Sequence, residues 1–393
     1  MAREVVILSG ARTAIGGYGG SLKDIPPSEL AARCVREVVQ RATIDPKSVG
    51  HIVFGNVIHT DPQDHYLARV AGIKGGLPAE TPALTLNRLC GSGLQAIISA
   101  AQMIMLGDTN VAVAGGAENM SRAPYLSPAM RWGARMNDTS LIDVMVAALS
   151  DPFDNCHMGI TAENVAKKWN ISRADQDKLA AESHKRAANA VEKGYFKEQI
   201  VPVEIKVKRE TMAFSVDETV RPDSTVEKLS TLKPVFDKEG SVTAGNSSSI
   251  NDAAAAVVLM ESGLAKQRGL RPLGRLVAYS HAGVDPKYMG IGPVPAVRML
   301  LEKTGLSLDD IDVFEVNEAF AAQALAVARD LKLPADRTNP NGSGISLGHP
   351  IGATGCILVV KALYELRRTG GNRALVTMCI GGGQGIAALF SRE

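Results

Sequence analysis

A cysteine in the first quarter of the chain lies in a setting suited to nucleophilic chemistry. Cys90 follows the apolar Leu89 and precedes Gly91-Ser92-Gly93, which opens a long run of small residues. The glycines allow a sharp turn and a close approach of substrate to the backbone, and the N–H groups at a helix start favour thiolate over thiol. The motif alone leaves two interpretations open: a nucleophile, or a tight turn with an incidental thiol.

Two further candidates lie among glycines near the other end of the chain. His349 stands within the glycine-rich segment 341–355, and Cys379 shortly precedes Gly381-Gly382-Gly383. An imidazole titrates near neutral pH and can take the proton of a thiol nucleophile. A second thiol can remove a proton from the carbon next to a thioester carbonyl, if backbone N–H groups hold the enolate oxygen. The structural alternatives are a satisfied loop histidine and a packed thiol.

Together these segments resemble the thiolase family, in particular bacterial acetyl-CoA acetyltransferases and beta-ketothiolases. The resemblance runs from about Glu4 to the C-terminus. Its separated motifs occur in the family's order and are the Cys90 stretch, Asn317-Glu318-Ala319-Phe320, Gly348-His349-Pro350 and Cys379-Ile380-Gly381-Gly382-Gly383. Several motifs in one order are far more specific than any single one.

The resemblance implies a CoA-dependent acyltransferase. Such an enzyme interconverts two acyl-CoA molecules with a 3-oxoacyl-CoA plus CoA, through an acyl group carried by Cys90. Its substrates are coenzyme A thioesters, and it holds no permanent cofactor and no metal. The resemblance further implies that the N–H groups of Cys90 and Gly381 hold the oxyanion of the acyl step. His349 and a water held by Asn317 are expected at the enolate oxygen.

A set of CoA contacts is also implied by the resemblance. Arg221 is expected near the adenine nucleotide, and the residues expected along the pantetheine arm are Leu149, His157, Met158, Ala244, Gly245, Ser248, Ala319 and Phe320. The loop around Ser248 departs from the family pattern, because Ser249 stands where many thiolases have glycine. The turn at 206–210 departs as well. NAD is rejected, because glycines 342–348 lack the dinucleotide spacing and the acidic residue that follows it.

Two rival functions are weighed against this one. A decarboxylating ketosynthase on the same fold would carry a second histidine where Cys379 stands. A thioester-binding protein without turnover would not need Cys90, Asn317, His349 and Cys379 to be intact. The direction of the reaction stays open. For acyl chain length, segments 289–295 and 341–347 resemble those of beta-ketothiolases that accept groups longer than acetyl.

The elements that must position these residues follow a βαβ rhythm at both ends of the chain. Predicted strands are Val5–Leu8, His51–Asn56, Val111–Gly116, Ile311–Phe314 and Ala374–Thr377, and predicted helices are Leu30–Val39, Leu94–Leu106, Ala174–Lys193, Ala296–Lys303 and Cys356–Arg367. The spacing of 34 positions from Asn56 to Cys90 matches the 32 from Asn317 to His349, which favours an internal duplication over two unrelated runs. The resemblance implies an α/β thiolase fold with five αβαβα layers.

The domain prediction follows from this duplication. Residues 1–118 plus 250–272 form the N-terminal half, and 273–393 form the C-terminal half. The charged segment 119–249 is predicted to be an inserted lid domain. Within it, the loop 125–138 holds Trp132 and is the candidate contact of a homotetramer built as a dimer of dimers; the alternative is a solvated basic loop.

Composition excludes several classes of protein. The chain has 393 residues, 45% hydrophobic and 21% charged, with a net charge of +2 that gives no reason to expect nucleic-acid binding. Its 38 glycines and 4% aromatic residues indicate closely packed helices. Five cysteines without paired spacing indicate free thiols in a reducing compartment, and no signal or zinc pattern is found. The apolar runs are judged too short for a membrane span, so a cytoplasmic protein is expected.

Overall fold

The computed structural model describes residues 3–393. The elements up to residue 119 are β1 (Val5–Thr13), β2 (Gly16–Gly17), α1 (Pro27–Arg41), β3 (His51–Gly55), α2 (Leu67–Lys74), β4 (Ala83–Leu86), α3 (Ser92–Leu106) and β5 (Val111–Asn119). The segment that follows holds β6 (Tyr125–Leu126), β7 (Ile142–Asp143), α4 (Val144–Ala148), β8 (Ser150–Asp151), β9 (Cys156–His157), α5 (Met158–Lys168), α6 (Arg173–Glu192), β10 (Ile200–Val201), β11 (Val203–Val207), β12 (Glu210–Phe214) and α7 (Val226–Ser230). The remaining elements are β13 (Asn251–Glu261), α8 (Ser262–Gln267), β14 (Gly274–Gly283), α9 (Pro293–Thr304), β15 (Val313–Val316), α10 (Ala321–Leu331), α11 (Gly344–Leu347), α12 (Ile351–Thr369), β16 (Arg373–Ile380) and β17 (Gln384–Ser391).

The main sheet repeats one strand pattern. In the N-terminal half, β3 pairs in parallel with β5, and β13 and then β1 continue the sheet in antiparallel fashion. In the C-terminal half, β15 pairs in parallel with β16, and β17 and then β14 continue it in antiparallel fashion. Antiparallel pairing of β1 with β14 joins the two halves. The repeated order confirms the predicted duplication.

Helices α3 and α12 bring the two halves into backbone contact. A Cβ added at Gly93 would lie 2.7 Å from the backbone N of Cys356, and one added at Gly355 would lie 2.3 Å from the backbone N of Leu94. Only glycine permits helices to approach this closely. The two helices carry Cys90 and His349 near their N-terminal ends, so their contact sets the distance between those residues.

Helix α12 begins earlier than the sequence predicts. The sequence predicts a glycine loop around His349, followed by a helix that starts at Cys356. In the structure the helix begins at Ile351, since packing against the other half overrides the glycine preference. His349 therefore lies at the start of a helix rather than in a long loop.

The expectation that every apolar run is too short to span a membrane is wrong for the stretch that contains α3. The 18 residues Leu89–Leu106 have a mean hydropathy of 1.5, which by length and composition is enough to cross a membrane. In this fold 56% of that stretch is buried, and the helix packs against α12 and β5. Its apolar character is that of a core helix between the two halves.

Candidate active site

A cavity of about 740 Å³ opens where both halves and the inserted segment meet. All the predicted site residues line it except Asn317 and Gly245. Asn317 is fully buried behind His349. Gly245 faces away, because a Cβ added there would meet Leu229 and Leu232. The residues that do line it are Cys90, Leu149, His157, Met158, Arg221, Ala244, Ser248, Ala319, Phe320, His349, Cys379 and Gly381.

Cys90 is presented by a strained turn. The preceding Leu89 has a φ of 44°, in the left-handed region that costs a residue with a side chain about 1–3 kcal/mol. Two hydrogen bonds hold the turn: Leu89 N donates to Asn87 Oδ1 at 2.8 Å, and Arg88 N donates to Ser92 Oγ at 2.8 Å. The turn places Cys90 at the cavity, directly before the N-terminal end of α3.

The surroundings of Cys90 favour the thiol over the thiolate that was expected at the helix start. Burial raises the pKa of the Cys90 thiol to about 11, although the N–H groups of Gly381 and of Cys90 itself act in the opposite direction. The cost of removing the thiolate from water is larger than the stabilisation that these two hydrogen bonds give it. Attack by the sulfur therefore requires a base. The same two N–H groups are those that the family resemblance assigns to the oxyanion.

His349 is fixed as a neutral imidazole in one tautomer. Its Nδ1 lies 2.7 Å from Thr354 Oγ1, and that hydroxyl donates its single proton to Pro350 O at 2.9 Å. The threonine oxygen must therefore accept from Nδ1–H, which leaves Nε2 with a lone pair. Burial lowers the pKa of His349 to about 4, so the ring is uncharged at neutral pH. Its backbone N–H donates to Asn251 Oδ1 at 2.8 Å.

Asn317 supports His349 from behind. Its Nδ2 lies 3.3 Å from His349 Nε2, which is at the long, weak end of hydrogen-bond distances. Its buried Oδ1 has no hydrogen-bond partner among residues 3–393. In this geometry Asn317 reaches the cavity through His349 rather than directly.

Cys379 ends β16 at the apolar wall of the cavity. Its side chain is 1% exposed and belongs to a cluster with Met158, Met289 and Phe320. Burial raises the pKa of the Cys379 thiol well above its usual range, and the nearby Cys90 sulfur raises it further. A thiol of this kind is protonated at rest and is a strong base once its proton has been removed.

An aromatic group that sequence reasoning missed lines the same cavity. The ring of Phe236 stacks on His157, with centroids 4.6 Å apart and planes 14° apart. Phe236 also meets Phe320 edge to face, with centroids 6.3 Å apart. The only sequence signal was the apolar pair Val235-Phe236 within a polar segment. Met289, which was also missed as a site residue, lies beside Cys379 in the same cluster.

The loop around Ser248 forms hydrogen bonds although Ser249 replaces the glycine of the family pattern. Ser248 N donates to Ala319 O at 2.9 Å. Ser249 has no positive φ, so its backbone does not require the glycine that the family pattern has there. Its hydroxyl donates to Asn251 Oδ1 at 2.9 Å, the oxygen that also accepts the His349 backbone N–H. The substitution therefore supports His349.

The mouth of the cavity is polar. Arg221 is exposed there, and its backbone N–H donates to His184 Nδ1 at 3.1 Å. Tyr18, another cavity residue, is 62% exposed. A cationic side chain and an exposed ring that line the same cavity suit the phosphates and base of a nucleotide. Across residues 3–393, no group of three or more His, Cys, Asp or Glu side chains is arranged to hold a metal ion.

Comparisons with known proteins cover the whole chain. The family model "Thiolase, N-terminal domain" matches residues 5–263, and "Thiolase, C-terminal domain" matches residues 270–392. The chain is 64% identical to a beta-ketothiolase, BktB, of Cupriavidus necator and 49% identical to an acetyl-CoA acetyltransferase of Pseudomonas aeruginosa, each over 100% of both chains. Its structure is similar to that of the human mitochondrial 3-ketoacyl-CoA thiolase in complex with CoA, with a TM-score of 0.96, 43% identity, and coverage of 100% of this chain and 99% of the other.

Proposed function

Since this chain belongs to the thiolase family, we propose that it catalyses the reversible condensation of two acyl-CoA molecules to a 3-oxoacyl-CoA and CoA. The observation that carries the proposal is the meeting of Cys90, His349 and Cys379 at one cavity. His349 presents the lone pair that a protonated Cys90 needs as a base. CoA thioesters enter as substrates.

In the first half of the reaction, the acyl group moves from CoA to Cys90. His349 Nε2 takes the thiol proton as the sulfur attacks the thioester carbonyl, and the N–H groups of Cys90 and Gly381 face the oxygen that becomes negative. The bond between the carbonyl carbon and the CoA sulfur then breaks. The leaving CoA thiolate receives the proton from His349, so proton and charge balance.

In the second half, a carbon–carbon bond forms. His349, which is neutral again, takes the proton of Cys379, and the resulting thiolate removes a proton from the carbon next to the carbonyl of a second acyl-CoA. The carbanion attacks the acyl group on Cys90, and the leaving Cys90 sulfur receives the proton from His349. The raised pKa of Cys379 suits this step, because a stronger base is needed for a weakly acidic C–H bond.

A CoA-release assay separates this function from its two rivals. With acetoacetyl-CoA and CoA, a thiolase forms two acetyl-CoA molecules, and with acetyl-CoA alone it releases CoA. A decarboxylating ketosynthase would release CO₂ from a malonyl thioester instead. A thioester-binding protein would bind acetyl-CoA without releasing CoA, and that outcome would refute the proposal.

We further propose that the enzyme accepts acyl groups longer than acetyl. Support comes from its 64% identity to a protein named a beta-ketothiolase, against 49% and 47% to two acetyl-CoA acetyltransferases. Thiolysis rates across 3-oxoacyl-CoA substrates of increasing length test this proposal. A kcat/KM that falls at least about tenfold from the four-carbon to the five- and six-carbon substrates would contradict it.

A homotetramer is proposed on the exposed apolar side chains of the loop 125–138. Trp132 is 83% exposed and Met136 is 84% exposed, with Tyr125 and Met130 also exposed on the same loop. Several exposed large apolar side chains on one loop are typical of a protein–protein contact.

A further inference from the structure

The ladders of the two halves can be aligned residue by residue. In the N-terminal half the parallel pairing of β3 with β5 ends at Gly55 opposite Gly116. In the C-terminal half the pairing of β15 with β16 ends at Val316 opposite Thr377. If Gly55 is matched with Val316, and Gly116 with Thr377, the residues that follow in each half can be compared position by position.

This alignment gives Cys379 a counterpart. The residue directly after β3 is Asn56, and the residue directly after β15 is Asn317. Two positions beyond the end pair, β5 carries Glu118 where β16 carries Cys379. The duplication therefore places a carboxylate at the position of the second thiol.

Glu118 is fully buried and accepts four N–H groups. Its Oε1 accepts from Asn56 Nδ2 at 3.1 Å and from Ile58 N at 3.0 Å. Its Oε2 accepts from Val57 N at 3.1 Å and from Gly352 N at 2.8 Å. Three of these donors belong to the N-terminal half, and the fourth belongs to α12. One carboxylate thus joins the two halves.

The contact with α12 lies three residues from His349. Gly352 is in the first turn of that helix, where unpaired N–H groups attract a negative charge. A Cβ added at Gly352 would lie 2.4 Å from Glu118 Oε2, so the carboxylate approaches as closely as it does because position 352 is glycine. Glu118 itself does not line the cavity.

We propose that Glu118 is a positioning residue, whose carboxylate holds the start of α12 against the loop after β3 and thereby fixes His349 relative to Cys90. The proposal rests on the proposed function of the cavity. Glu118, the N-terminal counterpart of Cys379, would then contribute to the same reaction without touching the reacting atoms.

The first test replaces the carboxylate by an amide of the same shape. Glu118→Gln turns an NH₂ group toward N–H donors, so the start of α12 is expected to shift. The resulting misplacement of His349 should lower kcat by about 100-fold. KM stays within about threefold, because CoA contacts are unchanged. Burial and the nearby Asp64 raise the pKa of Glu118 to about 8, so assays are run near pH 9, at which most of the wild-type carboxylate is ionised.

Asp64→Asn is the matched control. Asp64 is also fully buried, and it accepts from Thr60 N at 2.8 Å, Thr60 Oγ1 at 3.0 Å and Asp61 N at 2.9 Å. These bonds lie within its own loop and do not reach α12. Asp64→Asn is expected to keep kcat within about threefold of wild type. An equal loss in both variants would overturn the proposal, as would an unchanged kcat in Glu118→Gln.

A double-mutant cycle separates positioning from general damage to the fold. In a His349→Ala background there is no imidazole to position, so adding Glu118→Gln changes the residual rate of Cys90 acylation by less than about threefold. The same 100-fold loss in both backgrounds would overturn the proposal. If Glu118→Gln does not fold, Glu118→Asp, which keeps the charge but is shorter, takes its place. An inactive wild-type enzyme would refute the proposed function instead.

Discussion

The two halves of this protein share one framework but use it for different chemistry. At matched positions, the N-terminal half carries Glu118 and the C-terminal half carries Cys379, and both side chains are buried. Glu118 is surrounded by N–H donors, whereas Cys379 faces an apolar cavity wall with Met289 and Phe320. The surroundings, and not the strand position, therefore make one group the proposed positioning residue and the other a candidate base.

The helices show the same division of roles. Cys90 precedes α3 and His349 precedes α12, and these helices touch through their glycines. Cys90 is presented by a strained turn, whereas His349 is oriented by a hydrogen-bonded threonine. Each half therefore supplies one partner of the proposed nucleophile–base pair.

Removing the base is expected to have the largest effect. His349→Ala should slow acylation of Cys90 by at least about 1000-fold, because the protonated thiol then lacks an acceptor for its proton. Rapid-quench measurement of the acyl enzyme checks this result. A rate within about tenfold of wild type would assign the base to another group.

The pH dependence of the same step sharpens that prediction. The pKa of His349 is lowered to about 4 by burial, so the ring stays neutral on acidification and loses its lone pair only below that value. In wild-type protein the acylation rate should fall as pH drops through about 4, rather than through the ordinary histidine value of about 6.5. The fall should be absent from His349→Ala. Circular dichroism at each pH controls for unfolding.

The tautomer of His349 is tested next, with a smaller expected loss. Thr354→Val removes the oxygen that accepts from Nδ1–H, so acylation should slow by about tenfold or more. Thr354→Ser keeps that oxygen and should remain within about threefold of wild type. Equal losses in the two variants would show that the hydroxyl does not orient the ring.

The contact between the halves is tested through stability. Gly355→Ala forces a Cβ to within 2.3 Å of Leu94 N and should destabilise the fold by about 1–3 kcal/mol. In α2, a Cβ at Gly72 meets only side chains at 3.5 Å or beyond, so Gly72→Ala should be neutral or stabilising. Urea titration of both variants measures the difference. Equal free energies of unfolding would contradict the close helix contact.

The loop 125–138 is expected to matter least for the chemistry, because none of its residues lines the cavity. Trp132→Glu places a charge at the proposed contact of the loop 125–138 and should convert a tetramer to a dimer. Light scattering measures the mass, and kcat should stay within about threefold, because Trp132 does not line the cavity. An unchanged tetramer mass would remove the loop from the interface.

Local motifs made part of this site predictable from sequence. Cys90, His349 and Cys379 each stand among glycines, whose spacing indicates turns and helix starts, and family resemblance supplied their expected roles. The strands β3, β5, β15 and β16 could be predicted because buried parallel strands appear as short apolar runs.

The remaining features depend on contacts between distant segments. Glu118 gave no local signal and Phe236 gave only a weak one, because their partners lie far away in the chain. The start of α12 was misjudged because helix packing, and not propensity, decides the conformation of its glycines. The protonation of Cys90 was misjudged because burial cannot be read from the residues beside it.

In the proposed mechanism, Cys90 carries the acyl group and Cys379 acts on carbon. Cys379→Ala keeps Cys90 and its base, so brief exposure to acetyl-CoA should add one acetyl group, located on Cys90 by intact-mass and peptide mass spectrometry. Condensation and thiolysis of acetoacetyl-CoA should both fall by at least about 1000-fold. An acetyl group found on Cys379 in wild-type protein, or near-normal condensation by Cys379→Ala, would contradict the account.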